Sequence, residues 1–372
     1  MLKVLHIYKD YFPPVFGGIE KHMSLLCNEL APIVDVDVLV ANRRGWTVVD
    51  IVNGIRVVKA ATFGRFYSAP VSPSFLYYLG RERRDILHFH LPNPTAVLAY
   101  LMVRPPGKVV VTWHSDIVRQ AKFLPVYRPF LNRFLNLSDV VLPTTDRYAQ
   151  SSPFLKDFLH KCEAIPLGVD ASQFEMTPNI EEKTAALRSE FGDRVVLFVG
   201  LLRYYKGLQY LIKAMRDVDA RLVVVGEGPM SAELHQLTSK LGLADRVSFV
   251  GRVAEEMLPA YYHCCDVFCL PSVYRSEAFG FSQVEAMVCG KPVVSTGLDT
   301  GVPYVNLDGK TGLVVPPMDS AALASAINML LSDKDLARDC GENGRARASK
   351  ELSSKSMARS VLAVYRRLVE TR

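Results

Sequence analysis

Short runs rich in valine and isoleucine alternate with helix-period segments along this chain, and the alternation happens twice. LKVLHIY, VDVLVAN, DILHFHL, KVVVTWH and DVVLPTT read as strands in the first half, with Ile19–Ala31, Pro94–Val103 and Gln120–Asn136 as helices between them. Continuous apolar strands separated by helices predict a parallel sheet covered on both faces. The rhythm breaks at AIPLGVDASQF, where Pro166, Gly168 and Asp170 are turn formers ahead of a Glu- and Lys-rich stretch. It restarts with VVLFVGL, RLVVVGE, VSFVG, DVFCLPS and KPVVST, and three further helices are expected after residue 320. A chain of 372 residues suits two medium domains. The boundaries read as 1–170 and 171–353, with a closing helix at about 354–372 that packs back onto the first domain. The fold class is α/β, two doubly wound sheets joined by a hinge. Ligands of such sheets bind beyond the carboxyl ends of the strands, so two facing domains place both sets of ends around one central cleft.

The formal charge of +6 lies in the first half: 20 Lys and Arg against 14 Asp and Glu in residues 1–170, and 24 of each beyond. A basic face of that kind suits nucleic acid, an acidic lipid surface or a phosphorylated substrate. The N-terminal run to Lys9 fits a first buried strand better than a signal peptide, and no stretch approaches the ~20 apolar residues of a membrane span. Seven irregularly spaced cysteines point to a reduced, cytoplasmic chain. The His263-Cys264-Cys265 run with Cys269 reads as strand core rather than metal ligation, because ligand pairs lack the usual spacing. Two Asp-x-Asp triplets, at 35–37 and 217–219, fall at strand starts, the wrong end for a ligand crevice, and read as turn chemistry.

Two constellations carry chemistry. GLLRYYKG (200–207) follows a strand and opens a helix, which puts Arg203 and Lys206 where cationic side chains and helix amides hold an anion. In VYRSEAFGFSQVEAM, Glu277 and Glu285 stand eight residues apart around Phe279-Gly280-Phe281. Ser276 reads as an N-cap, which is the structural account of Glu277 as a first-turn acid. It leaves Glu285 unexplained. With a helix starting near Ala278, the carboxylates lie on the order of 12 Å apart along the axis, comparable to two sugars joined through a diphosphate. Each carboxylate accepts hydroxyl bonds well, and Gly280 lets the backbone approach what lies between.

SEAFGFSQVEAM together with GLLRYYKG resembles the retaining nucleotide-sugar glycosyltransferases of family 4, whose GT-B fold has two Rossmann-like domains. PPVFGGIEKH (13–22) resembles the family's glycine loop, WHSD (113–116) its histidine motif and IPLGVD (165–170) its hinge, and GKPVVST and DGKTGLVVPPMD resemble late motifs. The resemblance implies that Arg203 and Lys206 neutralise the donor diphosphate, Glu277 holds the donor sugar and Glu285 the ribose, with Phe279, Gly280 and Phe281 between them. It implies that Gly17 and Gly18 approach phosphate, that Arg252 borders the base and that His114 contacts the reacting sugar. The family often has GRL where this chain has GLLR, yet Arg203 still precedes Lys206 by three residues.

Fixed cations then stabilise the leaving diphosphate. No cofactor and no metal are implied, and the resemblance implies same-face attack with retention of the anomeric configuration. Residues 117–137 mix Arg119, Lys122, Arg128 and Arg133 with Phe123, Leu124, Tyr127, Phe130 and Phe134, which reads either as a basic amphipathic segment resting on an anionic membrane or as a domain helix with its aromatics in the core. The implied partners are a nucleotide-sugar donor, a polyprenyl-diphosphate-linked glycan acceptor and an anionic surface at the inner face of the plasma membrane, with no nucleic acid. The late motifs look most like bacterial mannosyl- or rhamnosyltransferases of O-antigen and exopolysaccharide assembly, which use GDP-sugars. Other readings are the same fold with a UDP-sugar, a nucleotide-sugar epimerase, and a non-catalytic sugar-nucleotide-binding subunit.

Overall fold

A computed structural model describes all residues except 14, 16, 67, 68, 118–122, 371 and 372. The chain forms two compact units: residues 1–168 with the closing helix Ser354–Glu370, and residues 169–353.

The first unit holds β1 (Lys3–Ile7), β2 (Asp35–Ala41), β3 (Val48–Val52), β4 (Ile55–Ala60), the short β5 (Arg65–Phe66) and β6 (Ala69–Pro70), β7 (Ile86–Leu91), β8 (Lys108–Trp113) and β9 (Val140–Pro143). Its main sheet runs β3-β4-β2-β1-β7-β8-β9, and every pair is parallel except β3 with β4. The five strands expected here are all present. The β3–β4 hairpin was not anticipated, although Asn53 and Gly54 turn it with φ of 51° and 79°, as a tight two-residue hairpin requires. The third expected helix is Leu124–Leu137, and residues 120–122 of that expectation lie outside the described residues. The closing helix buries Met357, Ala358, Val361, Leu362 and Tyr365, a helical-period stripe, against Met23, Leu26 and Leu30 of the helix Gly18–Leu30 and against strand residues Val4, Val36 and Val38.

The second unit holds β10 (Val195–Val199), β11 (Arg221–Val225), β12 (Val247–Gly251), β13 (Val267–Leu270), β14 (Val293–Thr296) and β15 (Gly312–Val315) in the all-parallel order β12-β11-β10-β13-β14-β15. Five strands match the expectation; β15, four residues inside a motif, is additional. Each sheet reverses its strand order once, between β1 and β7 and between β10 and β13. Those switch points are where open α/β sheets hold ligands. The second unit begins and ends at one place, where Val169 bridges Ser353.

Candidate active site

At the second switch point, the loop after β10 and the turn after β13 meet. Gly207 ends the first loop with φ of 68°, and a Cβ there would lie 2.0 Å from the Pro271 carbonyl oxygen. Only glycine allows this approach. The contact is closed by the Val273 amide donating to Tyr205 at 2.8 Å. This brings Lys206 Nζ to 2.6 Å from Glu277 Oε2, with both side chains about nine-tenths buried. Ser272 donates to the same oxygen at 3.1 Å. Burial pulls the Lys206 pKa down, but the carboxylate of Glu277 more than offsets this, aided by Tyr205 and by the field of Glu285, and the ammonium is held above its ordinary value.

The helix starts later than expected, at Phe281, and runs to Val288. Ser276 is therefore not its cap; Gly280 is, in the left-handed region with φ of 81°. A Cβ on Gly280 would sit 2.6 Å from Leu270 Cδ2. Gln283 ties the turn by donating to the carbonyls of Phe279 at 2.8 Å and Val302 at 3.2 Å. Glu277 thus lies in the turn ahead of the helix, and Glu285 about one helical turn inside it. Glu285 is buried and accepts the Tyr262 hydroxyl at 2.7 Å. Phe279 is buried, and Phe281 is half-buried and edge-on to it, with centroids 6.1 Å apart. Arg203 and Arg252 are exposed, the latter just past β12. Ser272, Tyr205 and Tyr262 escaped the sequence reading because nothing in their local sequence marks them as neighbours of a carboxylate or an ammonium. Ser282 escaped it too: its hydroxyl is buried, without a partner among the described residues, three positions before Glu285.

In the first unit, Gly17 caps the helix Gly18–Leu30, and the carboxylate of Glu20 folds back over it, so that a Cβ on Gly17 would meet Glu20 Oε2 at 2.2 Å. Pro14 and Phe16 of that loop lie outside the described residues. His114 follows β8 and is buried, as are His6, His22, His88 and His90. Burial, reinforced by His22 and Lys9, holds His114 well below the ordinary histidine value. Asp116 braces the turn: it accepts from Trp113 Nε1 at 3.1 Å and from Ser152 at 2.6 Å. Asp35 and Asp37 are engaged by Arg84, and Asp37 by Arg56 at 3.0 Å, which is a structural role. All seven cysteines are free, and Cys269 is fully buried in β13.

The expected amphipathic segment divides in two. Leu131, Phe134 and Leu135 face the core, with Phe134 edge-on to Phe89 and Tyr100, so for Phe134 the domain-helix reading is the one that holds. Arg128 is turned onto the Pro153 carbonyl at 3.0 Å. Phe123, Val126 and Phe130 remain exposed with Arg133, and Met102 is exposed on the helix packed alongside. Arg119 and Lys122 lie outside the described residues. Among the described residues no helix is long and apolar enough to cross a membrane.

Residues 16–173 match the model for Glycosyltransferase Family 4, and residues 179–347 match that for Glycosyl transferases group 1. The chain is 32% identical to O-antigen chain mannosyltransferase C of Escherichia coli, covering 100% of both proteins. It is 35% identical to D-rhamnosyltransferase WbpZ of Pseudomonas aeruginosa over 93% of this chain and 91% of that one. In fold it matches sucrose-phosphate synthase from Thermosynechococcus elongatus with a TM-score of 0.84 at 23% identity, covering 100% of each chain. The two Rossmann-like sheets are those of the GT-B class. The chain therefore belongs to glycosyltransferase family 4, and it is an enzyme that transfers hexosyl groups.

Proposed function

We propose that this glycosyltransferase moves a hexose, mannose or D-rhamnose, from a GDP-sugar to a lipid-linked glycan during cell-surface polysaccharide assembly, with retention and without a metal. The Lys206–Glu277 pair at the β10–β13 switch point carries the reading. Cleaving the anomeric C–O bond builds negative charge on the diphosphate and positive charge on the sugar. A pre-positioned ammonium answers the first and a carboxylate on the sugar's hydroxyls holds the second in place. In this reading Arg203 joins Lys206 on the phosphates, Glu285 takes the ribose, Arg252 borders the base, and Phe279, Gly280 and Phe281 line the space between. Gly17, Gly18 and His114 of the first unit act on phosphate and sugar.

The choice of donor is supported by the printed activities of the relatives: a mannosyltransferase and a D-rhamnosyltransferase over nearly full length, and GDP-mannose-dependent phosphatidylinositol monomannoside mannosyltransferases at 30–32% identity. The exposed Phe123, Val126 and Phe130 beside Arg133 suit an anionic membrane, and so a polyprenyl-diphosphate-linked acceptor at the inner face of the plasma membrane. A panel of GDP- and UDP-sugars, with and without lipid-linked acceptor, tests the proposal. GDP-mannose or GDP-D-rhamnose is expected to be consumed only with acceptor, and equally in excess chelator. Turnover of a UDP-sugar alone would replace the donor, acceptor-free conversion would favour an epimerase, and loss of activity with EDTA would overturn the metal-free mechanism.

A further inference from the structure

The first sheet carries a layer of histidines at its switch point. His6 on β1 pairs in register with His88 on β7, and His90 pairs with Thr112 on β8. Residues two apart on a strand, and residues paired across parallel strands, share a face. His6, His88, His90 and Thr112 therefore project to one side, where Tyr365 of the closing helix reaches them. Thr112 Oγ1 lies 2.6 Å from His88 Nε2, and His88 Nδ1 is bonded to the Tyr365 hydroxyl. That hydroxyl lies 3.4 Å from His6 Nε2, His6 Nδ1 is 3.0 Å from His90 Nε2, and His90 Nδ1 is 2.9 Å from His114 Nε2.

The last two contacts are directional. His6 and His90 have centroids 5.3 Å apart and planes 28° apart; His90 and His114 have centroids 5.2 Å apart and planes 18° apart. Centroids that far apart over such short N···N gaps place the rings end to end, each nitrogen aimed at the next. His22 meets His90 and His114 edge-on instead.

We propose that Thr112, His88, Tyr365, His6 and His90 form one proton-ordered chain that fixes His114 as the Nδ1–H tautomer, so that it offers a hydrogen-bond donor rather than a base. Burial holds every ring neutral, His6 down to about 3, so each has one proton to give. Three proton orders fill all five contacts. If the chain runs from Thr112, all five contacts are donated and the last proton sits on His114 Nδ1, which has no partner among the described residues. If it runs the other way, the buried Thr112 hydroxyl has no acceptor among the described residues, and if it converges on Tyr365 from both ends, the Tyr365 hydroxyl proton has none; each leaves a buried donor orphaned. The first order wins. In it His90 is a positioning residue for His114, and the closing helix belongs to the chain through Tyr365.

The functional weight of this rests on the proposed contact between His114 and the reacting sugar; the proton order does not. Long-range 1H–15N spectra of the full-length protein at neutral pH, with 15N-labelled histidine and single-substitution assignments, read the tautomers directly. His6, His88, His90 and His114 are expected to carry the proton on Nδ1 with Nε2 bare. A proton on His114 Nε2 overturns the proposal, as does the 15N shift of a metal-ligated nitrogen on His6, His88 or His90, the mark of a bound divalent cation. For activity, His114→Asn places an amide N–H near the Nδ1 position and His114→Gln near Nε2. Asn is expected to keep at least ten-fold more kcat than Gln. Equal activity of wild type and both variants, with the Nδ1–H spectra intact, would remove His114 from the proposed mechanism and leave the chain standing.

Discussion

Lys206 and Glu277 form an ion pair in a place that neither side chain would enter alone. Removing one partner of such a buried pair leaves an uncompensated charge, at a cost of about 3–5 kcal/mol. Glu277→Ala is therefore expected both to abolish transfer and to lower the urea midpoint, while Lys206→Ala lowers kcat by about 10²–10³-fold, the range for losing one electrostatic stabiliser. Wild-type turnover by Glu277→Ala would remove the donor-sugar assignment. The sign of the pH effect follows from the raised Lys206 value. The stabilisation is fully present below the ordinary lysine value of 10.5 and is lost as pH rises through the higher folded value. The gap in denaturation midpoint between wild type and Glu277→Gln should hold from pH 7 to 9 and close in strong alkali. Glu277, Glu285, Arg203 and Lys206 stood out in the sequence as candidates because they sit at fixed spacings within continuous motifs. Ser272 and Tyr262 did not, since nothing local marks a serine or tyrosine as the neighbour of a carboxylate.

Among the elements, the loop from Arg203 to Gly207 is held by one close backbone approach. Gly207→Ala adds a Cβ 2.0 Å from Pro271 O at a positive φ. Strain of this kind costs about 1–3 kcal/mol before any clash is relieved. Equilibrium unfolding should show that loss, and the donor KM should rise as Lys206 is displaced; an unchanged KM would separate the loop from donor binding. The histidine layer makes a second prediction. Its folded values are depressed by burial, His6 and His22 to about 3. Stability is then full above the ordinary value of 6.5 and falls with pH toward the folded values. Between pH 6.5 and 5, above most carboxylate titration, the unfolding free energy should fall by about 1.4 kcal/mol per pH unit for each proton taken up. Calorimetry across that window checks it, and a flat profile would show the rings already charged. The parallel strands were readable because burial on both faces makes them continuously apolar. The β3–β4 hairpin was missed because its half-exposed strands alternate, with the Asn53-Gly54 turn as the one strong sign. The start of the helix at Phe281 was misplaced because Ser276 looks like a cap, whereas the chain turns at Gly280 instead.

At the scale of the molecule, the two sheets have separate cores, and the second core is built wholly from residues 196–340. The segment Val169–Ser353 is thus expected to fold alone, to unfold in one transition and to be stabilised by guanosine diphosphate in a thermal-shift assay. Failure to fold would show that it depends on the rest of the chain. Residues 1–168 have no such independence, because Tyr365 and its neighbours on the closing helix complete their core. The twofold alternation of strand and helix announced two sheets, but the histidine layer beneath the first was hidden: His6, His88, His90 and His114 come from three strands and meet only through register. The bridge between Val169 and Ser353 has one more consequence. Because the polypeptide departs and returns at a single doorway, the second unit is a removable cassette, and grafting a relative's cassette between Gly168 and Ser354 tests whether that unit sets sugar preference.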